Sequence, residues 1–182
     1  MVASGFGAYD LEVYPVAVLR NLATAQTATA VVVNFTVHFP GGTYSLPAEP
    51  VSLAPGETLA DTALCTESCV GATSISAAPP TVGDWMAGNR TVISGSSASY
   101  ACGSPCAGNP GYEGTVTGTL SGQIPSDTLV DLSAVCVDSG GAIVGAGLRP
   151  TVWPGGTSTS GSVPVLVSAT PASCQLYATE SS

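Results

Sequence analysis

The segment "LAPGET" (residues 53–58) returns in altered form as "VWPGGT" (residues 152–157), 99 residues further along the chain. The same offset aligns the Gly-Gly pair at 41–42 with the pair at 140–141. Pro-Gly favours a type II turn, because Pro fixes its own φ and Gly tolerates positive φ. Gly-Gly favours a tight hairpin. Turns that recur at one spacing predict a tandem repeat.

Two strand-like runs align at this offset without a gap. They are "TAVVVNFTVHF" at 29–39 and "TLVDLSAVCVD" at 128–138. Apolar side chains recur at every second position, which predicts half-buried strands. The predicted inward positions are Val31, Val33, Phe35, Val37 and Phe39 in the first run, and Val130, Leu132, Ala134 and Cys136 in the second.

Each repeat therefore consists of a strand, a Gly-Gly turn, a short strand, a Pro-Gly turn and another strand. Short strands with turn signals at such spacing are typical of β-sandwiches. We predict an all-β fold of two tandem Ig/fibronectin-like antiparallel β-sandwich domains, at 8–101 and 111–179. An N-terminal arm (1–7) precedes them, and a stiff joint rich in Pro and Gly (102–110) connects them.

The six cysteines predict disulfides and an oxidising compartment, and hence an extracellular or cell-surface location. The spacings C-x3-C at 65–69 and 102–106 also raise a metal site. Zinc sites favour other spacings, however, and the single His is distant in sequence. We therefore expect no metal and no cofactor.

Alternation places Cys136 and Cys174 inside the second domain, and we predict that they form an intersheet disulfide. For the other four cysteines an antiparallel arrangement favours Cys65–Cys106 and Cys69–Cys102. Local pairs within each C-x3-C remain open.

The composition restricts the partners. Charged residues make up 8%, the net charge is −9, and there is no Lys among the three cations. Nucleic acid and anionic membrane surfaces both require cationic patches, so we expect neither as a partner. No apolar run reaches the ~20 residues of a membrane helix, and we expect no membrane insertion.

Catalytic motifs are not recognisable, and we predict that the protein is not an enzyme. His38 alternates outward on its predicted strand, and no nucleophile elbow G-x-S-x-G is present. The acids Asp127, Asp131 and Asp138 raise a calcium site, but they form no D-x-D-x-D loop.

Four aromatic residues are candidate contacts for a ligand or partner. Trp85 beside Tyr100 would form an aromatic platform, with core packing as the alternative. Phe6 and Tyr9 belong to a segment that could complete a neighbour's sheet, or simply form the first strand.

Two N-x-T sequons, at Asn34 and Asn89, are candidate glycosylation sites.

The second repeat resembles the FxLYD-type domain of bacterial extracellular proteins over residues 111–179. The resemblance rests on Asp138 with Gly140, on the Pro-Gly turn at 154–155, and on Leu176 followed by Tyr177. Cys174 and Ala178 stand where that family has Phe and Asp. The resemblance implies a small Ig-like sandwich that acts as a non-catalytic surface module.

These features predict a structural subunit of an extracellular assembly (a filament, sheath or surface layer). Exposed sheet edges are normally protected by Lys, and this chain has none. Copies would associate through β-strand edges, so the expected partner is the protein itself. The alternative is a secreted adhesin or binding module that recognises a carbohydrate or a surface protein.

Overall fold

The computed structural model describes residues 1–9, 12–88, 90–103 and 112–181, and these residues form an all-β fold. They include one 3-10 turn (Glu67–Cys69) and no α-helix. The strands are β1 (Ala3–Tyr9), β2 (Glu12–Arg20), β3 (Gln26–Val31), β4 (Asn34–Phe39), β5 (Gly42–Pro47), β6 (Val51–Leu53), β7 (Thr58–Thr62), β8 (Ser74–Ala77), β9 (Asp84–Ala87), β10 (Ser94–Gly95), β11 (Ser97–Cys102), β12 (Tyr112–Ser121), β13 (Leu129–Val137), β14 (Ile143–Val152), β15 (Ser158–Val167) and β16 (Ser173–Glu180).

The first layer is an antiparallel sheet in the order β1-β2-β7. Strand β1 pairs with β2 along its whole length, from Ala3 opposite Val18 to Tyr9 opposite Glu12. Residues 3–7 of the predicted arm are therefore part of a strand within this chain. The N-terminal segment thus forms the first strand of its own chain, which was the alternative to completing a neighbour's sheet.

The second layer consists of two three-stranded sheets, β6-β3-β9 and β5-β4-β8. They share one long middle strand that is broken between β3 and β4, so the prediction of a single strand over 29–39 is wrong. Ala30 has a positive φ of 49°, and the β3–β6 register shifts between Ala28 and Val31. The backbone turns here, yet the predicted inward side chains Val31 and Val33 are still buried.

The second half forms a barrel-like sheet, because its strands close on themselves. Strands run in the order β12-β11-β16-β13-β14-β15, and β15 pairs again with β12 over ten residue pairs. Strand β11 bridges two partners: its first residues pair with β16 and its last with β12. The interior packs around Trp153, Leu120 and Leu176.

The barrel-like sheet begins earlier in the chain than the predicted second domain. Strands β10 and β11, which lie almost entirely within the predicted domain 1 (8–101), both pair with β12. The hydrogen-bonded sheet therefore starts at Ser94, and the strands on either side of the predicted joint, β11 and β12, belong to the same sheet. The short alternation of residues 97–102, with Ala98, Tyr100 and Cys102 on one face, gives no sign of which half these residues join.

The β1-β2-β7 sheet is buried on both faces, and this joins the two halves. Val16 and Val18 pack against Val135 and Ala146 of the barrel. Alternate residues of β2 point the other way into the core of the second layer. A Cβ placed on Gly7 would collide with the Leu166 carbonyl oxygen, so only glycine permits this close approach.

The repeated turns adopt the predicted positive φ. Gly56 and Gly155 follow the two prolines with φ of 73° and 91°. Gly42 and Gly141 in the Gly-Gly turns have φ of 144° and 84°. In the second Gly-Gly turn, the Asp138 carboxylate accepts hydrogen bonds from two backbone N–H groups of the turn, both at 2.9 Å. Turn chemistry is therefore the part of the repeat that both halves retain.

The disulfides differ in part from the expected pairing. Cys136 and Cys174 are bonded as predicted, but they lie directly opposite each other on the adjacent strands β13 and β16. The bond therefore lies within one sheet, and the intersheet placement was wrong. Cys65 is bonded to Cys69, which rules out the favoured Cys65–Cys106 and Cys69–Cys102 pairs.

The 3-10 turn Glu67–Cys69 explains the local pair, because it brings the two Cα atoms within 5.8 Å. Cys102 is also disulfide-bonded, and Cys106 lies outside the described residues.

Candidate functional site

Strand β5 forms an open edge of the second layer. It pairs with β4 on one side and with no other strand among the described residues. Its six residues, "GTYSLP", carry no charge, and all but the half-buried Leu46 are exposed. An uncharged, exposed strand edge is a site where another strand can add.

The backbone groups that face outward from β5 follow from its pairing. Ala48 donates its N–H to the Val33 carbonyl at 2.8 Å, which identifies that opposite pair as a hydrogen-bonded one. Hydrogen-bonded and non-hydrogen-bonded pairs alternate in antiparallel strands. Pro47, the residue before Ala48, is then in a non-hydrogen-bonded pair, which suits a residue that has no N–H to donate to β4. The N–H and C=O groups of Thr43 and Ser45 therefore point away from β4.

Tyr44, between these two residues, projects toward the core side of the sheet. It lies opposite Val37, which is fully buried, but its own side chain is 42% exposed. A large aromatic side chain thus lies half-covered at the rim of the core, next to the outward-facing backbone.

The opposite edge of the second layer is formed by β8 and β9. Strand β8 lies beside β1, which covers it in part. Strand β9 pairs only with β3 among the described strands, and all four of its residues are exposed. It carries one charge, on Asp84. The second layer thus has open strands on both sides.

The edges where β14 and β15 separate contrast with β5, because they carry protective residues. Strands β14 and β15 pair only at Gly145 and Ala146, and they separate toward the Pro-Gly turn. Pro150 and Pro164 lie on the separated edges, where a proline cannot donate a hydrogen bond to an added strand. Arg149 spans the gap and donates to the Ser162 carbonyl at 3.3 Å.

Trp85 on β9 lies beside an apolar pocket of about 240 Å³. The indole-bearing residue is 46% exposed, and Leu22 and Val82 at the same pocket are also exposed. The pocket floor is formed by Ala28 and Leu53 of the core. The surface is suited to an apolar side chain or ring.

The aromatic platform of Trp85 with Tyr100 is not formed. Tyr100 lies on β11 and packs against the barrel interior, in a different sheet from Trp85. Phe6 packs between the layers, near the Cys65–Cys69 disulfide. Tyr9 ends β1, opposite Glu12.

Asp61 is a buried acid in the core of the first half. It lies on β7 opposite Ala17, is 3% exposed, and its Oδ2 has no hydrogen-bond partner among the described residues. Burial, together with the negative charge of Glu49, raises the pKa of Asp61 to about 7. Sequence inspection missed this residue, because an Asp in a strand is normally exposed.

Glu57 and Arg90 form an ion pair at 2.9 Å beside the first Pro-Gly turn. The second carboxylate oxygen of Glu57 accepts the Ala54 N–H at 2.6 Å, which closes the turn. Burial raises the pKa of Glu57, and Arg90 and this N–H offset part of the rise. The pair therefore supports the turn structurally.

The described residues contain no group of three or more side chains arranged to hold a metal ion. His38 hydrogen-bonds Ser76 at 3.2 Å, and both side chains are on the exposed face of the β5-β4-β8 sheet. No carboxylate among the described residues hydrogen-bonds this pair, so nothing there orients the imidazole as a general base. Asn34 is exposed on β4, and Asn89 lies outside the described residues.

No described helix has the length and apolarity needed to span a membrane.

Comparisons with known proteins give little to add to this geometry. No protein-family model and no curated protein matches the chain. It is similar to a solved structure of a glycosyl hydrolase family 2 (GH2) member from Bacteroides cellulosilyticus DSM 14838, at 9% identity and a TM-score of 0.32. The similarity covers 89% of this chain and 24% of that chain. At this TM-score we draw nothing from it about fold or function.

Proposed function

We propose that the protein is a non-catalytic structural subunit of an extracellular assembly, and that its copies associate through strand edges of the second layer. The observation that carries the proposal is the contrast between edges within one chain. The separated edges of β14 and β15 bear Pro150, Pro164 and Arg149, whereas β5 bears no charge and no proline before its last residue. Because one set of edges is protected against strand addition and the other is not, we take the open edges to be the site of association.

Two open strands on opposite sides of one layer support an extended assembly. Addition at β5 leaves β9 free, so a second contact can extend the assembly beyond a dimer. The two disulfides between described cysteines suit an oxidising environment, in agreement with an extracellular location. The low fraction of charged residues, 8%, leaves much uncharged surface and favours association when the concentration is high.

Sedimentation velocity and negative-stain microscopy test the proposal on the full chain with its disulfides intact. We expect the sedimentation coefficient to rise with concentration at neutral pH, and extended particles to be visible. Salt should strengthen the association, because the net charge of −9 opposes it. A protein that stays monomeric at about 1 mM would rule the function out.

The alternative is a binding module that uses the pocket beside Trp85. The half-exposed indole at an apolar pocket favours it. A panel of glycans and peptides should then quench the fluorescence of Trp85, and Trp85→Ala should abolish both quenching and binding. The other tryptophan, Trp153, is buried in the barrel and provides the unquenched signal. If Trp85→Ala binds the same ligand equally well, the pocket is not the site.

A further inference from the structure

We infer that β5 pairs antiparallel with β5 of a second copy, around a two-fold axis at Tyr44. The inference rests on the proposed function and names the contact. The register follows from the outward backbone groups of β5, because within this strand only Thr43 and Ser45 present both an N–H and a C=O to a second copy. In an antiparallel pair centred on Tyr44, Thr43 of each copy lies opposite Ser45 of the other.

This register satisfies every outward N–H of the strand. Thr43 and Ser45 of opposite copies form hydrogen-bonded pairs, which gives about four backbone hydrogen bonds across the axis. A register centred on Thr43 would leave the Ser45 N–H of each copy facing the Gly-Gly turn of the partner. One centred on Ser45 would place Thr43 opposite Pro47, which can accept a hydrogen bond but cannot donate one, so the Thr43 carbonyl would stay unpaired. Pro47 ends the donor pattern on one side, and the Gly42 turn ends it on the other. The length of the edge therefore fits a copy of itself.

The side chains support the same axis. The two Tyr44 residues would form a non-hydrogen-bonded pair, in which opposite side chains lie closest together. Both rings project toward the core side, where Tyr44 is now 42% exposed at the rim. Stacked across the axis, the rings would cover the open ends of both cores. Because β5 is uncharged, pairing brings no like charges together within the strand.

Cysteine substitution tests the register. Tyr44→Cys should give a disulfide-linked dimer on oxidation, because the two Cα atoms at position 44 would lie about 4.5 Å apart. Thr43→Cys is the matched control. It faces position 45 of the other copy, and its own two Cα atoms would be more than about 7 Å apart. Non-reducing electrophoresis and peptide mapping read the outcome, with the native disulfides mapped in the same digest.

Proline substitution tests the hydrogen bonds. Ser45→Pro removes one outward N–H and leaves the β4–β5 ladder intact, so the melting curve should keep its shape. The dimer should weaken at least about tenfold, because one hydrogen bond is lost in each copy. Ala77→Pro is the control on the opposite edge. The Ala78 N–H donates to the Asn34 carbonyl of β4, so the N–H of the preceding residue, Ala77, points away from β4 and is the group that this substitution removes. This control should leave the dimer unchanged.

The outcomes separate the inference from the proposed function. If the unaltered chain assembles but Tyr44→Cys does not cross-link, or Thr43→Cys cross-links better, the axis at Tyr44 is wrong and the function stands. If Ala77→Pro weakens the dimer and Ser45→Pro does not, the contact is at the β8–β9 edge. If the unaltered chain is monomeric at about 1 mM, the inference and the function both fail.

Discussion

Replacing Asp61 by Asn should stabilise the protein at neutral pH and have a smaller effect in acid. The pKa of Asp61 is about 7 in the folded protein, compared with 3.8 for an exposed Asp. A difference of about three pKa units corresponds to about 4 kcal/mol of unfolding free energy, at 1.36 kcal/mol per unit. Because the side chain is 3% exposed, solvent screening reduces this value little.

The sign follows from the protons bound in each state. As pH rises from about 4 to about 7, Asp61 loses its proton in the unfolded chain before it does so in the folded protein. The free energy of unfolding therefore falls across this window and levels off above it. Asn has nearly the same shape and no charge, so Asp61→Asn lacks the fall. If the amide introduced by Asp61→Asn has no hydrogen-bond partner, the variant loses the same amount of unfolding free energy at every pH. The pH dependence of the difference in stability between the two proteins is then unchanged.

Urea unfolding with intact disulfides measures the effect. The stability of Asp61→Asn relative to the unaltered chain should grow by about 3 kcal/mol between about pH 4.5 and about pH 8. The exposed Asp84→Asn is the control, and it should stay within about 0.5 kcal/mol of the unaltered chain at both pH values. A constant difference for Asp61→Asn across this range would refute the assignment of a neutral buried carboxyl.

Three further predictions concern other contacts. Cys174→Ala should lower the free energy of unfolding by about 4 kcal/mol through loss of the Cys136 bond, since the closed loop is long; chemical denaturation measures it. Gly7→Val should lower the melting temperature by roughly 5 °C or more, because a side chain there forces the first sheet away from the barrel, and differential scanning calorimetry detects it. Arg90→Met should lower the free energy of unfolding by about 3 kcal/mol at about pH 8 and by less at about pH 4.5, because protonation neutralises the Glu57 carboxylate that has lost its partner. Thermal melting at both pH values measures the loss of stability, and equal losses would contradict the prediction.

Local chemistry predicted the turns and the inward faces well. A Pro-Gly or Gly-Gly pair specifies a positive φ within four residues, and Gly56 and Gly155 adopt it in both halves. Period-two alternation identified Val31 and Val33 as buried even though the strand breaks between them. Alternation also placed Cys136 and Cys174 together, because both face the same interior.

Pairing between distant strands could not be predicted in the same way. Residues 94–102 join the barrel, and the Cys136–Cys174 bond lies within one sheet. Both follow from which strands pair, and strand pairing depends on packing between residues far apart in the chain. The candidate site depends on this choice. Within "GTYSLP" only the terminal Pro47 favours an edge strand, and the open backbone of Thr43 and Ser45 is identified only once β4 has its two neighbours.

The sequence by itself determined the all-β class, the turn positions and the face of each strand, since these depend on neighbours within a few residues. The tertiary structure alone decided which strands became edges, where the barrel closed and why Asp61 is buried. These depend on contacts between residues far apart in the chain, and burial raises the pKa of Asp61 only once those contacts have formed.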